Sequence, residues 1–288
     1  MPLPPLFLAR MERLLGDEYP AFAASYLAQA RTGLRVNTLK VTAHSFVSFS
    51  PFELQSLPWT EVGFLVNRET MSPGKHPYHP AGLYYLQEPS AMAVAEALAP
   101  QPGEKVLDLA AAPGGKTTHL AARMQNQGLL IANEIHPKRV WDLAENLERW
   151  GAVNVVITSE TPEHLAEHFG AYFDRVLVDA PCSGEGLFRK TPAAQSEWSE
   201  ALVQSCSVRQ FAILSQAARM VHPGGWLVYS TCTFALQENE AILARFLQAS
   251  QSKDDTRFEL ISLTHIAGLA PARPDWLEQS QNTQPAMH

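Results

Sequence analysis

The feature that most constrains the fold is a regular alternation of strand-like and helix-like segments that begins after Gly103. Strand patterns, which are short and mostly apolar, cover residues 105–111, 129–135, 154–158, 175–180 and 226–230. Helical patterns follow them from about residue 117 and at 137–150, 162–169, 199–221 and 238–249. Parallel strands need crossover connections of this kind, and the crossing helices cover both faces of the sheet. The alternation therefore predicts an α/β fold with a doubly wound parallel sheet.

The first ninety residues lack this alternation. Helical spacing and short strand patterns are mixed there, at residues 6–15, 22–30, 34–40, 62–67 and 83–87. Gly16 and Pro20 interrupt the helical part. At the other end, residues 257–264 can supply one more strand before the chain becomes polar. We predict a small N-terminal α+β domain at 1–89, the sheet domain at 90–270 and a tail at 271–288.

Composition limits the class of protein. The chain is 46% hydrophobic and has no apolar run near the roughly 20 residues that span a bilayer. Its first twenty residues contain early acidic side chains and no cleavable apolar stretch, which favours a cytoplasmic protein without a membrane segment. The formal net charge of −7 argues against a partner held by bulk positive charge. A nucleic-acid site on this chain must therefore be a local patch, and we expect a monomer.

The glycine-rich turn after the first strand of the sheet is a candidate cofactor site. Residues 107–117 read Leu-Asp-Leu-Ala-Ala-Ala-Pro-Gly-Gly-Lys-Thr, and Glu134 ends the second strand twenty residues after Gly114. That spacing suits a carboxylate that accepts both ribose hydroxyls of a nucleoside cofactor. The dinucleotide pattern G-x-G-x-x-G and the P-loop pattern are both absent. The alternative is an ordinary strand-to-helix turn followed by an incidental Glu.

The three cysteines show no C-x-x-C spacing, so the pattern favours neither a disulfide framework nor a metal site. Cys206 falls in a predicted helix, where a free cysteine is usually a small buried hydrophobe. Cys182 and Cys232 instead follow the fourth and fifth strands of the sheet, in the Pro-Cys loop (residues 179–186) and the Thr-Cys loop (residues 230–234). Both loops therefore reach the edge of the sheet where the cofactor turn lies, where reactive groups are expected.

A cysteine beside a nucleoside cofactor suits methylation of carbon 5 of a pyrimidine. That carbon is not nucleophilic in the free base, and covalent attack at carbon 6 makes it enamine-like, so that it can accept a methyl group. A second group must then remove the proton from carbon 5. A redox role for the two cysteines is the alternative, although no helix brings them to C-x-x-C spacing.

At these residues the chain resembles the NOL1/NOP2/Sun family of RNA cytosine-5 methyltransferases, over nearly its whole length. The matching motifs lie at residues 33–40, 73–79, 82–90, 111–116, 179–186 and 230–234. Two cysteine loops in this order are highly specific, whereas the glycine turn alone is not. The resemblance implies a Rossmann-like class I methyltransferase sheet, S-adenosylmethionine as cofactor, and 16S ribosomal RNA in the small subunit as substrate. The alternatives are a methyltransferase that acts on transfer RNA and a truncated relative that binds RNA or cofactor without turnover.

The resemblance also implies roles for individual residues. Cys232 would be the nucleophile at carbon 6, Cys182 would assist proton removal and release, and Asp179 would contact the cytosine edge close to the cofactor. DNA cytosine methyltransferases use their Pro-Cys cysteine instead, so spacing alone does not assign the nucleophile.

For the cofactor, the resemblance implies that Lys116 faces the methionine carboxylate and that Glu134 holds the ribose. Glu160 would reach toward adenine, although ungapped counting places Thr161 at that position. The backbone that would cradle the cofactor consists of Ala110, Ala111, Ala112, Pro113, Gly114 and Gly115.

Three further expectations bear on the RNA. The resemblance implies that the N-terminal domain at 1–89 is an RNA-binding or family-specific domain. Lys190, just beyond the Pro-Cys loop, would meet an RNA phosphate or else belong to a solvated pair of cations. By comparison with the family, we also expect that the chain stops before the last strand and the C-terminal RNA-binding extension that are usual there.

Overall fold

The computed structural model describes residues 3–67, 72–251 and 257–277. They form two sheets, a four-stranded antiparallel one and a five-stranded parallel one. Of the predicted tail, residues 278–288 lie outside the described residues, and the proposed division of the chain at residues 89 and 270 stays a prediction. None of the described helices combines the length and apolarity needed to cross a membrane.

The N-terminal part mixes helices and strands, as predicted. Its elements are α1 (Pro5–Leu15), α2 (Tyr19–Ser25), β1 (Thr32–Val36), α3 (Ala43–Phe49), β2 (Leu54–Leu57), β3 (Thr60–Val66) and β4 (Tyr84–Gln87). The strands lie in the order β2-β3-β1-β4, and all three neighbouring pairs are antiparallel.

The predicted interruption at Pro20 and the predicted span 22–30 are wrong. Pro20 stands in the first turn of α2, where its missing N–H costs nothing, so it starts the helix rather than breaking it. The helix ends at Ser25. Sequence reasoning also missed α3, although the Thr42 side chain accepts a hydrogen bond from Ser45 N at 3.1 Å, the usual mark of a helix start.

The second sheet contains the predicted parallel strands. After α4 (Pro89–Leu98), the elements are β5 (Lys105–Asp108), α5 (Gly115–Arg123), β6 (Leu129–Asn133), α6 (Pro137–Trp150), β7 (Val155–Thr158), α7 (Pro162–Phe169), β8 (Phe173–Asp179), α8 (Pro192–Glu197), α9 (Glu200–Met220), β9 (Val221–Ser230) and α10 (Glu240–Gln251). The strand order is β7-β6-β5-β8-β9, so the chain reverses direction across the sheet at β5. In such sheets ligands bind outside the carboxyl ends of the strands at that reversal.

The core lies on both faces of the five-stranded sheet. Leu107, Val176 and Val178 pack with Phe173 and Met220 on one face, and all five are fully buried. The predicted helices at 137–150 and 162–169 have those bounds, and Gly151 closes the first of them at a φ of 82°. At this φ a side chain is strained, so the C-terminal glycine is required there.

The strand predicted at 257–264 is wrong. Within the described residues this segment pairs with neither sheet, and β9 pairs with β8. Leu260 and Ile261 are adjacent and both exposed, so no alternating face is available to bury against a neighbour. Phe258 anchors the segment, with its ring 5.3 Å from the ring of Phe246 on α10.

A buried cation attaches the N-terminal sheet to the parallel sheet. Arg35 of β1 is 0% exposed, and its Nη2 donates to the carbonyl oxygen of Gly115 at 3.0 Å and to Thr118 Oγ1 at 2.7 Å. Its guanidinium also lies 4.4 Å from the ring centre of Trp150. Burial lowers the pKa of Arg35 to about 9. Because Gly115 opens α5, this contact fixes the loop where a cofactor is expected.

Candidate active site

The loop between β5 and α5 is shaped by two adjacent glycines. Gly114 has a φ of 104°, which side chains rarely adopt, and its N–H donates to Ala111 O at 2.8 Å. A Cβ on Gly115 would lie 3.3 Å from the ring of Tyr85. The two glycines therefore leave the loop backbone uncovered by side chains at the start of α5, a nine-residue helix. The free N–H groups at the start of a helix favour a negatively charged ligand.

Glu134 follows β6 directly and is only 2% exposed. Its Oε1 accepts a hydrogen bond from His136 N at 2.9 Å. Its Oε2 lies 3.2 Å from Arg139 Nη1 but accepts no hydrogen bond within the described residues. A buried carboxylate oxygen with this spare capacity fits the ribose of a nucleoside cofactor.

Glu160 occupies a less direct position. Its backbone is tied to the sheet by Asn133, whose Oδ1 accepts from Glu160 N and whose Nδ2 donates to Glu160 O, each at 3.0 Å. Its half-exposed carboxylate pairs with His164 Nδ1 at 2.8 Å and raises the pKa of that imidazole. The loop therefore lies beside the end of β6, while the side chain in this structure contacts α7.

Asp179 and Lys116 form an ion pair at the carboxyl edge of the sheet. Lys116 Nζ donates to Asp179 Oδ2 at 2.6 Å, and Ser230 Oγ donates to Asp179 Oδ1 at 2.8 Å. The pair joins the cofactor loop to the ends of β8 and β9. An ammonium has three donors, so Lys116 can hold Asp179 and a second anion together.

Asp108, at the end of β5, is fully buried and interacts electrostatically with both members of this ion pair. Burial, with a smaller contribution from Asp179, raises the pKa of Asp108 to about 7, and the hydrogen bond from Thr117 Oγ1 at 2.7 Å opposes the shift. The carboxyl group is therefore largely neutral below about pH 7.

We expect the folded state to lose stability as pH rises from about 4 to about 7, because Asp108 keeps its proton in the folded chain and loses it near its ordinary value of 3.8 in the unfolded chain. Each unit of pKa difference corresponds to about 1.4 kcal/mol. Asp108→Asn should remove this part of the pH dependence of the free energy of unfolding, measured by urea denaturation across that range. The exposed Asp142→Asn is the control, and an unchanged pH profile in Asp108→Asn would contradict the assignment.

The two loop cysteines meet at the same edge. Cys182 Sγ and Cys232 Sγ are 3.1 Å apart, and Cys232 N donates to Cys182 Sγ at 3.3 Å. Hydrogen bonding from the Cys232 thiol lowers the pKa of Cys182, with help from the N–H groups of Cys232 and Gly184, although burial opposes the shift. The same contact, with burial, raises the pKa of Cys232. The contact therefore favours the thiolate at Cys182 and the protonated thiol at Cys232.

Cys206 is separate from this pair. It is 4% exposed on α9, and burial raises the pKa of its thiol to about 11. This agrees with the predicted role of a small buried hydrophobe. Among the described residues, no group of three or more His, Cys, Asp or Glu side chains is arranged to hold a metal ion.

Two buried glutamates, which sequence reasoning missed, hold the cysteine loops together. Glu185, in the Pro-Cys loop, accepts from Phe234 N of the Thr-Cys loop at 3.1 Å and from Trp198 Nε1 at 2.9 Å, and its Oε1 lies 2.6 Å from Arg10 Nη2. In the sequence, the signal that could have pointed to Glu185 was a glutamate inside a loop of small residues. Its ion-pair partner, on α1, is 175 residues away and could not be found from the pattern.

Glu238 performs the same task from the far side of the Thr-Cys loop. Its carboxylate accepts hydrogen bonds from Ser183 N at 3.0 Å and from Gln210 Nε2 at 2.8 Å. It also accepts a hydrogen bond from the Ser183 hydroxyl group. Burial raises the pKa of Glu238. Both glutamates are 0% exposed, so each fixes a loop backbone in an environment that excludes water.

Gly186 is the point of closest approach between the loops. Its N–H donates to Cys232 O at 2.8 Å, and a Cβ at this position would lie 2.9 Å from the same oxygen. Real Cβ atoms do not approach a backbone oxygen so closely, so only glycine fits without moving Cys232.

Gly186→Ala should displace Cys232 and lower the rate of any reaction at its sulfur by about 10- to 100-fold, because reactive geometry tolerates about 1 Å of error poorly. Cofactor affinity should stay close to that of the parent chain. Single-turnover kinetics beside cofactor titration separate the two effects. Gly74→Ala is the matched control, since its Cβ would meet only Leu86 Cδ1 at 3.6 Å. A parental rate in Gly186→Ala would show that the loops adjust freely.

Two family models match this chain. The model described as 16S rRNA methyltransferase RsmB/F covers residues 95–274, and that described as the N-terminal domain of 16S rRNA methyltransferase RsmF covers residues 3–89. The chain belongs to the RsmB/F family. The resemblance seen in the motifs is confirmed.

Individual relatives agree with the RsmB/F assignment. The chain is 39% identical over 255 residues to the ribosomal RNA small subunit methyltransferase F of Erwinia tasmaniensis, covering 85% of this chain and 53% of that protein. It is also 39% identical over 268 residues to the protein of the same name from Pectobacterium atrosepticum, covering 89% and 55%. The chain thus spans about half the length of the curated relatives it matches.

A solved structure supports the RsmB/F fold. A methyltransferase homolog protein from Pyrococcus horikoshii superposes with a TM-score of 0.73 at 33% identity, covering 85% of this chain and 83% of that one. With the strand order above, this confirms the predicted Rossmann-like methyltransferase sheet with an N-terminal α+β part. The predicted roles of the site residues stay predictions.

Proposed function

We propose that this chain methylates carbon 5 of cytosine in RNA, with 16S ribosomal RNA in the small subunit as the substrate. The observation that carries the proposal is the pair of thiols 3.1 Å apart, beside the Asp179–Lys116 ion pair, where parallel strands end. Membership in a family described as 16S rRNA methyltransferases supports the choice of RNA. A target atom that is already nucleophilic would need no thiol to activate it, so the two thiols favour a target that must be activated, such as carbon 5 of cytosine.

S-adenosylmethionine would supply the methyl group as an electrophile at the cofactor loop. The Glu134 carboxylate would accept hydrogen bonds from the ribose hydroxyls. Its Oε2 accepts no hydrogen bond within the described residues and could serve as the acceptor. Lys116 would pair with the methionine carboxylate while it still holds Asp179, and the bare backbone from Ala110 to Gly115 would leave room for the cofactor. We retain Glu160 for the adenine end, where its side chain would have to leave His164.

Cys232 would act as the nucleophile. Its sulfur would bond to carbon 6 of the cytosine, its proton would pass to Cys182 Sγ, and electrons would move through carbon 5 toward the ring nitrogen N3. Asp179 would hold the polar edge of the base, which fixes carbon 5 beside the methyl donor. The electron density that this attack adds at carbon 5 would make that carbon nucleophilic enough to accept the methyl group, with S-adenosylhomocysteine as the leaving group.

Cys182 would act in the release step. After exchange of its proton with water, for which the exposed position of Cys232 leaves a path, the Cys182 thiolate would accept the proton from carbon 5. Loss of that proton restores the ring double bond and expels Cys232 as the leaving group. The lowered pKa of Cys182 suits a group that must be a thiolate at this stage.

The proposal is tested by methyl transfer from labelled S-adenosylmethionine to small ribosomal subunits that lack the modification, with product nucleosides identified by mass spectrometry. We expect 5-methylcytidine in 16S rRNA. Product on transfer RNA alone would overturn the substrate assignment. Cofactor binding by calorimetry without product on either RNA would overturn the activity and favour a binding relative without turnover.

A further inference from the structure

A groove of about 450 Å³ lies between the N-terminal sheet and the chain that leaves the Pro-Cys loop. One wall consists of Arg31, directly before β1, and of Gln87 and Glu88, at and directly after the end of β4. The opposite wall is formed by Arg189 and Lys190. The proposed chemistry does not use this groove, and the resemblance connects only its Lys190 and, in general terms, the N-terminal domain with RNA.

The groove is basic on an acidic chain. Three cations and one carboxylate line it, although the whole chain has a net charge of −7. Glu88 forms an ion pair with Lys190, which offsets the charge of that lysine. The excess of two positive charges is therefore carried by Arg31 and Arg189, whose side chains are exposed.

One of these arginines is held in place at the rim. Arg189 Nη1 donates to Ser25 O, at the end of α2, at 3.0 Å. The planar guanidinium is thus fixed along one edge, an arrangement that favours hydrogen bonds to phosphate oxygens. Lys190 N donates to Leu187 O at 2.8 Å, which closes the turn that connects this wall to the Pro-Cys loop.

The groove reaches the candidate active site through its floor. Gln87 Oε1 accepts from Arg35 Nε at 2.9 Å, and the same arginine donates to Gly115 O in the cofactor loop. Gln87 Nε2 would lie 3.6 Å from a Cβ on Gly115. The opposite wall begins seven residues after Cys182. A strand lying in the groove therefore passes beside both the cofactor loop and the Pro-Cys loop.

We propose that this groove holds backbone phosphates of the RNA strand that carries the target cytosine, with Arg31 and Arg189 as the phosphate contacts. The inference rests on the proposed function, since it supplies the substrate path to that site. A single strand carries one charge per nucleotide, so a short groove with two uncompensated cations matches two phosphates. Because the net charge of −7 repels RNA, a local excess of positive charge is needed to hold the strand.

The test is the salt dependence of RNA binding. Affinities of the parent chain and of the Arg31→Gln/Arg189→Gln double variant are measured by titration with an oligocytidylate and with 16S rRNA, over a series of KCl concentrations. Each lost phosphate contact on a single strand should reduce the slope of log K against log salt by about 0.7, or about 1.4 for the pair. We expect affinity near 0.1 M salt to fall about tenfold or more, while S-adenosylmethionine affinity is unchanged.

The matched control is Lys105→Gln/Arg219→Gln, which removes two exposed cations at the amino edge of the parallel sheet. It should leave the slope unaltered. An unchanged slope in the Arg31→Gln/Arg189→Gln variant, with RNA methylation by the parent chain intact, would overturn the proposal that the groove binds RNA phosphates. The proposed function would then still stand. Absence of RNA binding and methylation in the parent chain would overturn both. Binding of inorganic phosphate that depends on the two arginines, without an effect on RNA, would make this a simple anion site and overturn the inference.

Discussion

Cys232→Ala should abolish methyl transfer, with a fall in single-turnover rate of about 10⁴-fold or more, as expected when a covalent nucleophile is removed. Without the sulfur of Cys232, the account has no bond to carbon 6, and carbon 5 of cytosine stays unreactive. Cofactor affinity should stay nearly unchanged, because the proposed cofactor contacts lie on the β5–α5 loop and after β6. Methyl incorporation and calorimetric titration of S-adenosylmethionine measure the two effects side by side.

The control for this variant is Cys206→Ala, which changes a buried cysteine outside the site. It should keep parental activity apart from a loss of stability. Retained turnover in Cys232→Ala would eliminate Cys232 as the nucleophile and return attention to Cys182.

Cys182→Ala should accumulate a covalent complex between protein and RNA. In this variant the exposed Cys232 would lose its proton to water and still attack carbon 6, while the group that removes the carbon 5 proton is missing. The adduct should require S-adenosylmethionine and appear as a shifted band on a denaturing gel. Its yield should approach one RNA per protein, whereas the parent chain should show at most a trace.

The double variant Cys182→Ala/Cys232→Ala distinguishes this trap from nonspecific crosslinking, since it lacks the attacking sulfur. It should give no shifted band. A Cys182→Ala chain that turns over without an adduct would remove Cys182 from the release step and leave its lowered pKa without a catalytic explanation.

The parallel sheet could be predicted because its signals are local. Apolar strands alternate with helices, and residues such as Gly151 and Pro137 mark the ends of elements without reference to distant parts of the chain. The convergence of Cys182 and Cys232 also followed, since the carboxyl ends of parallel strands share one edge. The observed register, in which Asp179 is opposite Ser230, places the two cysteine loops side by side.

The supporting contacts could not be predicted because they join distant segments. Glu185 pairs with Arg10, and Arg35 reaches Gly115, across separations that no periodicity encodes. These charged side chains hold the structure together because they are buried. The sequence of a motif does not show whether a charged side chain in it will be buried or exposed.

The strand predicted at residues 257–264 was wrong for a different reason. The composition of the segment suits a strand, but its adjacent residues Leu260 and Ile261 are both exposed, and the segment does not pair with the outer edge of β9.

The most direct test of covalent chemistry at this site is to locate the bond itself. RNA containing 5-fluorocytidine is incubated with the parent chain and S-adenosylmethionine, and the crosslinked peptide is sequenced by mass spectrometry; fluorine at carbon 5 leaves no proton for the release step. We predict one cytosine bonded through carbon 6 to the sulfur of Cys232. A bond at Cys182, or methylated RNA with no covalent peptide, would contradict the account.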